Sequence, residues 1–266
     1  MIIGILVVIG LALGSFVNAL VWRMHRSATS KQKLTVWSGR SMCTHCQTTL
    51  AAKDLLPVIS WLVLRGRCRY CHKSIEDTPI AELLVPLLFI TSYVFWPHSF
   101  DAAGIVLFVV WLLALVVLTA LLVYDLRWML LPNRLIVVFS VFAAVLLIVR
   151  AATEGVPVLL SGILAAVVIA GFFYVLHQVS NGKWIGGGDV KLGFGLGLVA
   201  GSPVGALMVV FLASLLGTLA SLPKIIIDKS ALVSRLPFGP FLILATVITF
   251  LFYQDVLSWY LGLLTL

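Results

Sequence analysis

"AGIVLFVVWLLALVVLTALLVYD", residues 103–125, holds no charge until its last residue, Asp125. About 20 apolar residues cross a bilayer core, so 103–124 reads as a transmembrane helix with a carboxylate at its end. The same criterion marks 2–22, 79–97, 134–150, 157–178, 190–202, 204–222 and 239–254, with 190–202 short. Residues 256–266 are too few to span and are expected in the interface. Continuous apolar runs leave helices as the way to satisfy the backbone in lipid. Composition agrees: of 266 residues, 62% are hydrophobic and 11% are charged. A soluble domain carries roughly 25% charged residues. The expected fold is therefore an all-α polytopic membrane protein of about eight transmembrane helices.

The chain holds 18 Lys and Arg and a net charge of +8, which could suggest a nucleic-acid partner. The distribution points to a membrane surface instead, and no nucleic acid is expected. If eight spans alternate, 23–78, 125–133, 179–191 and 223–238 share one side and, with Arg134 at the edge of the second, hold every basic residue except Arg150. Cytoplasmic loops carry this excess, so both termini are expected outside. The first apolar stretch lacks a basic segment before it, and its positive charges follow it. That pattern reads as a retained anchor and not a cleaved signal. The expected organisation is a first helix (1–22), a cytoplasmic domain (23–78) and a membrane domain (79–266) with seven further spans and a tail. No internal repeat is read. "GSPVG" (201–205) and "RLPFGP" (235–240) read as turns, with Pro240 in the first turn of the last helix.

The hydrophilic block holds all four cysteines, in "CTHC" (Cys43, Cys46) and "CRYC" (Cys68, Cys71). A block this small buries little core by itself and needs a staple. Two C-x2-C knuckles at this separation read as a four-thiolate zinc site. Four cysteines leave no open position, so the metal is structural. Two disulfides or four unpaired thiols are the competing readings, and a reducing cytoplasm weighs against the first. His45 and His72 read as exposed knuckle residues.

Most acidic residues fall in loops. Asp125 and Asp189 stand apart, because both lie at the same end of expected spans. An ionisable group in a membrane segment is costly and points to function. The bland alternative is a headgroup carboxylate paired with Arg127 or Lys191. Two carboxylates at matched depth suggest water activation: one stays protonated because like charges resist sharing a site. The helix dipole favours negative charge at Asp189, at a helix start, over Asp125, at a helix end. "GGGD" (186–189) is expected to let backbone approach closely and to adopt positive φ. Gly186, Gly188 and Lys191 are expected to support this loop. It lacks the phosphate-binding P-loop pattern. A proton- or cation-coupled transporter using the two aspartates is the alternative, as is a membrane-anchored zinc-dependent binding module. Transport sites favour the midplane, and these aspartates sit at one face.

The chain resembles the prepilin peptidases, or type IV leader peptidases. The resemblance rests on "GLALGSFVNALVWR" (10–23), the two cysteine pairs, "LLPVISWLVLRGRCRYC" (55–71), "IAELLVPLLF" (80–89), "YDLRWMLLPN" (124–133), "GGGDVKLG" (186–193) and "PFGPFL" (237–242). It implies a bacterial inner-membrane aspartyl endopeptidase with Asp125 and Asp189 catalytic on the cytoplasmic face. The implied partners are type IV prepilins and pseudopilins, cut after a Gly before their apolar helix. The Gly186-x-Gly188-Asp189 frame is also similar to presenilin-like proteases. Members with the cysteine-rich loop often N-methylate the product with S-adenosylmethionine, so that cofactor is implied beside zinc. The chain departs from the family in two places. It reads "LPN" at 131–133 where "LPD" is common, and "RMHR" at 23–26 where the first motif usually ends in R-x-P.

Overall fold

In a chain this apolar, periodicity cannot mark where helices stop, and glycine and proline do. The computed structural model describes residues 1–29, 41–75, 78–227 and 237–264. Its helices are α1 (Ile2–Thr29), α2 (Ile59–Val63), α3 (Ile80–Val94), α4 (Ala102–Trp128), α5 (Asn133–Glu154), α6 (Val156–Val179), α7 (Gly187–Ala200), α8 (Pro203–Ile227) and α9 (Gly239–Leu264). Helix α4 ends where Met129 turns left-handed at φ 52, and Pro132 then caps the start of α5. Gly201 ends α7 at φ 70, and Pro203 opens α8. Among the described residues there is no strand, and two isolated antiparallel bridges mark the cysteine block.

Among the described residues, six helices are long and apolar enough to cross a membrane: α1, α4, α5, α6, α8 and α9. The other two expected spans are α3, with 15 residues, and α7, with 14. At ~1.5 Å per residue these reach only ~22 and ~21 Å, short of a ~30 Å hydrocarbon core. Helix α1 continues past residue 22 to Thr29. The described tail also departs from the sequence reading, since α9 continues through 256–264 without a break.

Two compact units divide the chain, Met1–Val94 and Phe95–Leu266. In the first, α1 packs on α3. Gly10 and Gly14 form a small-xxx-small face that lets two backbones touch. A Cβ on Gly14 would lie 2.5 Å from the Ala81 carbonyl oxygen, and one on Gly10 would lie 2.6 Å from Pro86 Cα. In the second unit, α7 packs against α5, α6, α8 and α9. Trp111 stacks on Phe250 with centroids 4.0 Å apart, and Phe139 and Phe173 fill the interior. A polar cavity opens at the C-terminal end of α7, lined by His98, Arg150, Ser202 and Tyr253.

Because backbone cannot yield as a side chain does, Gly14→Leu should separate α1 from α3 and lower stability by roughly 1–3 kcal/mol or more. Thermal unfolding in detergent checks this against Gly4→Leu, a glycine with open space around it and no expected loss.

Candidate functional site

The site begins with the last turn of α4. Asp125 is 5% exposed there, and its carbonyl accepts the Met129 N–H at 2.8 Å, closing the helix. Its carboxylate needs a donor, and the start of α9 supplies one. The Gly239 N–H hydrogen-bonds the Asp125 carboxylate. A Cβ on Gly239 would lie 2.5 Å from Asp125 Oδ2. Only glycine lets α9 begin that close.

Asp189 is the third residue of α7 and is half-buried. Its Oδ2 accepts the Gly186 N–H at 3.2 Å, in the manner of a carboxylate capping its own helix start. Leu131, in the turn after α4, wedges both helix starts. Its side chain lies 3.0 Å from the Cβ position of Gly188 and 3.6 Å from that of Gly239. The ends of α4, α7 and α9 therefore meet, and Asp125 lies within electrostatic reach of Asp189.

Three features differ from the sequence reading or extend it. None of Gly186, Gly187 and Gly188 has a positive φ; in this loop Asn181 and Gly182 do, at φ 49 and 73. Glycine is needed at 188 for contact with Leu131, not for its backbone conformation. Lys191 donates to Asn133 Oδ1 at 3.0 Å, tying the fifth residue of α7 to the first residue of α5. His177, at the end of α6, pairs its Nδ1 with the Ile185 carbonyl at 2.8 Å and braces the loop before Asp189. Sequence reasoning assigned no role to Gly239, Leu131, Asn133 or His177. The Gly–Pro step at 239–240 was the available signal.

The four cysteines form a second cluster. Cys43, Cys46, Cys68 and Cys71 place their sulfurs within 4.8 Å of one another, with no disulfide. Cys43 and Cys71 sulfurs are 3.8 Å apart. A tetrahedral thiolate site with metal–sulfur bonds of about 2.3 Å has edges of about 3.8 Å, so the donor set fits one metal ion. Hydrogen bonds from the Thr48 side chain and backbone pull the Cys46 thiol down to about 6, while, against a hydrogen bond from the Lys73 backbone, burial and the other three cysteines push the Cys71 thiol up to about 11.

The two knuckles repeat one backbone pattern. Cys43 N–H donates to the Thr48 carbonyl and Cys68 N–H to that of Lys73. Gln47 and His72 then occupy the same left-handed position, at φ 58 and 57. This internal repeat was not read from the sequence. Asp54 locks the block from the side, accepting from Arg69 Nε at 2.7 Å, Tyr70 hydroxyl at 3.1 Å and Ala51 N–H at 3.2 Å. Its carboxyl is held below the usual range, chiefly by the Arg69 hydrogen bond.

Residues 8–96 match the Bacterial Peptidase A24 N-terminal domain, and residues 112–222, which include both aspartates, match the Type IV leader peptidase family. An Escherichia coli protein named type 4 prepilin-like proteins leader peptide-processing enzyme is 32% identical over 259 residues, covering 90% of each chain. The chain belongs to the type IV leader peptidase family. Another relative of this leader peptidase is a Bacillus subtilis prepilin leader peptidase/N-methyltransferase. It is 29% identical over 261 residues and 97% of both chains. A Pectobacterium carotovorum protein of the same name is 28% identical, over 92% of this chain and 91% of its own. No solved structure matches the chain.

Two outcomes follow. Gly239→Val drives a side chain into the Asp125 carboxylate, and a displacement of this order costs roughly 100-fold in rate. Peptide-cleavage kinetics in detergent should show that loss while the cysteine block stays resistant to protease. A strong chelator, or Cys43→Ser, should make residues 41–75 protease-sensitive, because metal binding and folding are coupled in such small domains.

Proposed function

We infer that this leader peptidase is an aspartyl endopeptidase that removes the leaders of type IV prepilins and pseudopilins at the cytoplasmic face of a bacterial inner membrane. The observation that carries this is the meeting of Asp125 and Asp189 at the ends of α4 and α7. Relatives named for prepilin processing support the substrate class. The charge asymmetry supports the cytoplasmic face, because the basic segments adjoin the aspartate-bearing helix ends.

The chemistry uses the pair asymmetrically. Asp189, in the first turn of α7, sits where the helix dipole favours negative charge and takes a proton from water. Asp125, more deeply buried and at a helix C-terminus, holds the proton and gives it to the peptide carbonyl oxygen. Water oxygen bonds to the carbonyl carbon. The tetrahedral species then collapses: the C–N bond breaks, the departing amine takes the proton held by Asp189, and one hydroxyl of the collapsing carbon returns a proton to Asp125. Gly186 and Gly239 hold the two carboxylates through their N–H groups. Gly188 and Lys191 support them by fixing the start of α7 against Leu131 and Asn133.

Zinc is the metal that four thiolates in a closed tetrahedral set suit best, held by Cys43, Cys46, Cys68 and Cys71 in a structural role. The second step in the names of relatives, N-methylation, extends to this chain with S-adenosylmethionine as methyl donor.

Mass spectrometry of a prepilin co-expressed with the chain tests the reading. The wild type should remove the leader and add the mass of one methyl group. Asp125→Asn and Asp189→Asn should each leave the leader in place. Persistent cleavage in either variant would remove that carboxylate from the mechanism.

A further inference from the structure

The polar cavity at the far end of α7 takes no part in the aspartate chemistry. It lies within the second unit, Phe95–Leu266, and encloses about 590 Å³. Cavities of roughly 300–1,000 Å³ hold small organic ligands. Asp189 lies in the first turn of α7, while Ala200 and Gly201 at the other end line the cavity.

Two donors in the cavity wall are buried with no hydrogen-bond partner, Trp96 Nε1 and Thr249 Oγ1. Thr249 is 1% exposed. A helical threonine can satisfy itself by bonding the carbonyl four residues back. Thr119 does so at Leu115, and Thr246 at Leu242. Thr249 does not. The Trp96 ring is set by Phe108 and Phe250, with centroids 4.9 and 5.9 Å away. Buried donors left unpaired are costly, so both require an acceptor that the fold does not supply.

Two further groups add donors. The Ser202 hydroxyl accepts the Gly205 N–H at 3.0 Å and donates to the Tyr253 hydroxyl at 3.2 Å, so the Tyr253 proton is left to be given elsewhere. Arg150 places Nε and Nη2 on Glu154 at 3.2 and 3.3 Å, with Nη1 against Gly201. Donors gathered around a guanidinium select anionic oxygens. The acids of the wall are both exposed. Glu154 ends α5, and Asp255 stands ~9 Å beyond Thr249 along α9. Burial and the Arg150 charge hold the His98 imidazole below its ordinary range, so His98 adds no second cation. Buried donors with a half-buried guanidinium, and exposed carboxylates beyond them, match a zwitterion with its anion inward and its cation outward. Both α5 and α9 are long and apolar enough to cross a membrane, so the phase beside the cavity is a lipid leaflet.

We propose that this cavity binds the phosphoethanolamine headgroup of a zwitterionic phospholipid, in the leaflet away from the aspartates. The phosphate accepts from Trp96, Thr249, Tyr253 and Arg150. The primary ammonium donates to Glu154 and Asp255. The headgroup fills depth that the short α7 does not reach, and the acyl chains lie along the outside of the bundle. Phosphatidylglycerol has no ammonium, and the quaternary nitrogen of phosphatidylcholine has no N–H to donate, so each meets only part of the site. The proposal is independent of the peptidase reading.

Native mass spectrometry of the full metal-loaded chain, titrated with each of the three lipids, tests it. Phosphatidylethanolamine should bind about tenfold more tightly than either of the others. Thr249→Val and Trp96→Phe should each weaken its binding by about tenfold, with melting temperature unchanged. Thr249→Val keeps the side-chain shape and decides the matter if Trp96→Phe disturbs its aromatic neighbours. Glu154→Gln combined with Asp255→Asn should erase the preference over phosphatidylglycerol. Equal binding of the three lipids, or full phosphatidylethanolamine binding in Thr249→Val, would overturn the site. Glycerophosphoethanolamine, which has the headgroup without acyl chains, separates the two sources of this chemistry. Weak competition from it supports the lipid, and displacement of the lipid at equal concentration would overturn the lipid assignment.

Discussion

A carboxylate at the end of an apolar helix must find its hydrogen-bond donors inside the protein, because hydrocarbon offers none. Asp125 is 5% exposed and meets this constraint through the backbone of another helix. Gly239 at the start of α9 supplies the N–H. The same demand shapes Asp189, whose oxygen takes the N–H of Gly186. Helix starts carry unpaired N–H groups by necessity, so two of them gathered at one place make a natural seat for two carboxylates. Leu131 sets the spacing by packing between Gly188 and Gly239. The turn after α4, the start of α7 and the start of α9 are thus one construction.

The cysteine block solves a different problem. It is too small to bury a core, and it substitutes covalent-strength geometry for burial. Two knuckles of one backbone pattern bring four sulfurs together, and Asp54 ties the segment it closes with Ala51 to the second knuckle through Arg69.

Much of this was legible in the sequence. Uninterrupted apolar runs announced the long helices, and the rarity of acids in them singled out Asp125 and Asp189. The knuckle repeat was not legible. It resides in backbone hydrogen bonds, while "CTHCQT" and "CRYCHK" share only their cysteines. Positive φ at Gly186–Gly188 was a reasonable expectation from three glycines in a row. The tight contact with Leu131 is a tertiary demand that no local rule exposes. Gly239 lies 114 residues after Asp125 (239 − 125), so its role needed three-dimensional packing to appear. Helix lengths were misjudged where apolar residues continue past a helix end, as at Phe95 and Trp96, since hydrophobicity alone does not report a backbone turn.

The shortness of α7 has a consequence for the solvent. A helix of 14 residues among longer neighbours leaves part of the membrane thickness uncovered along its axis. At its C-terminal end that depth is occupied by the polar cavity at Arg150, Ser202 and Tyr253, where water is at home. The protein therefore carries a dimple in its low-dielectric slab. Asp189 does not have to be submerged for its helix to reach the opposite side.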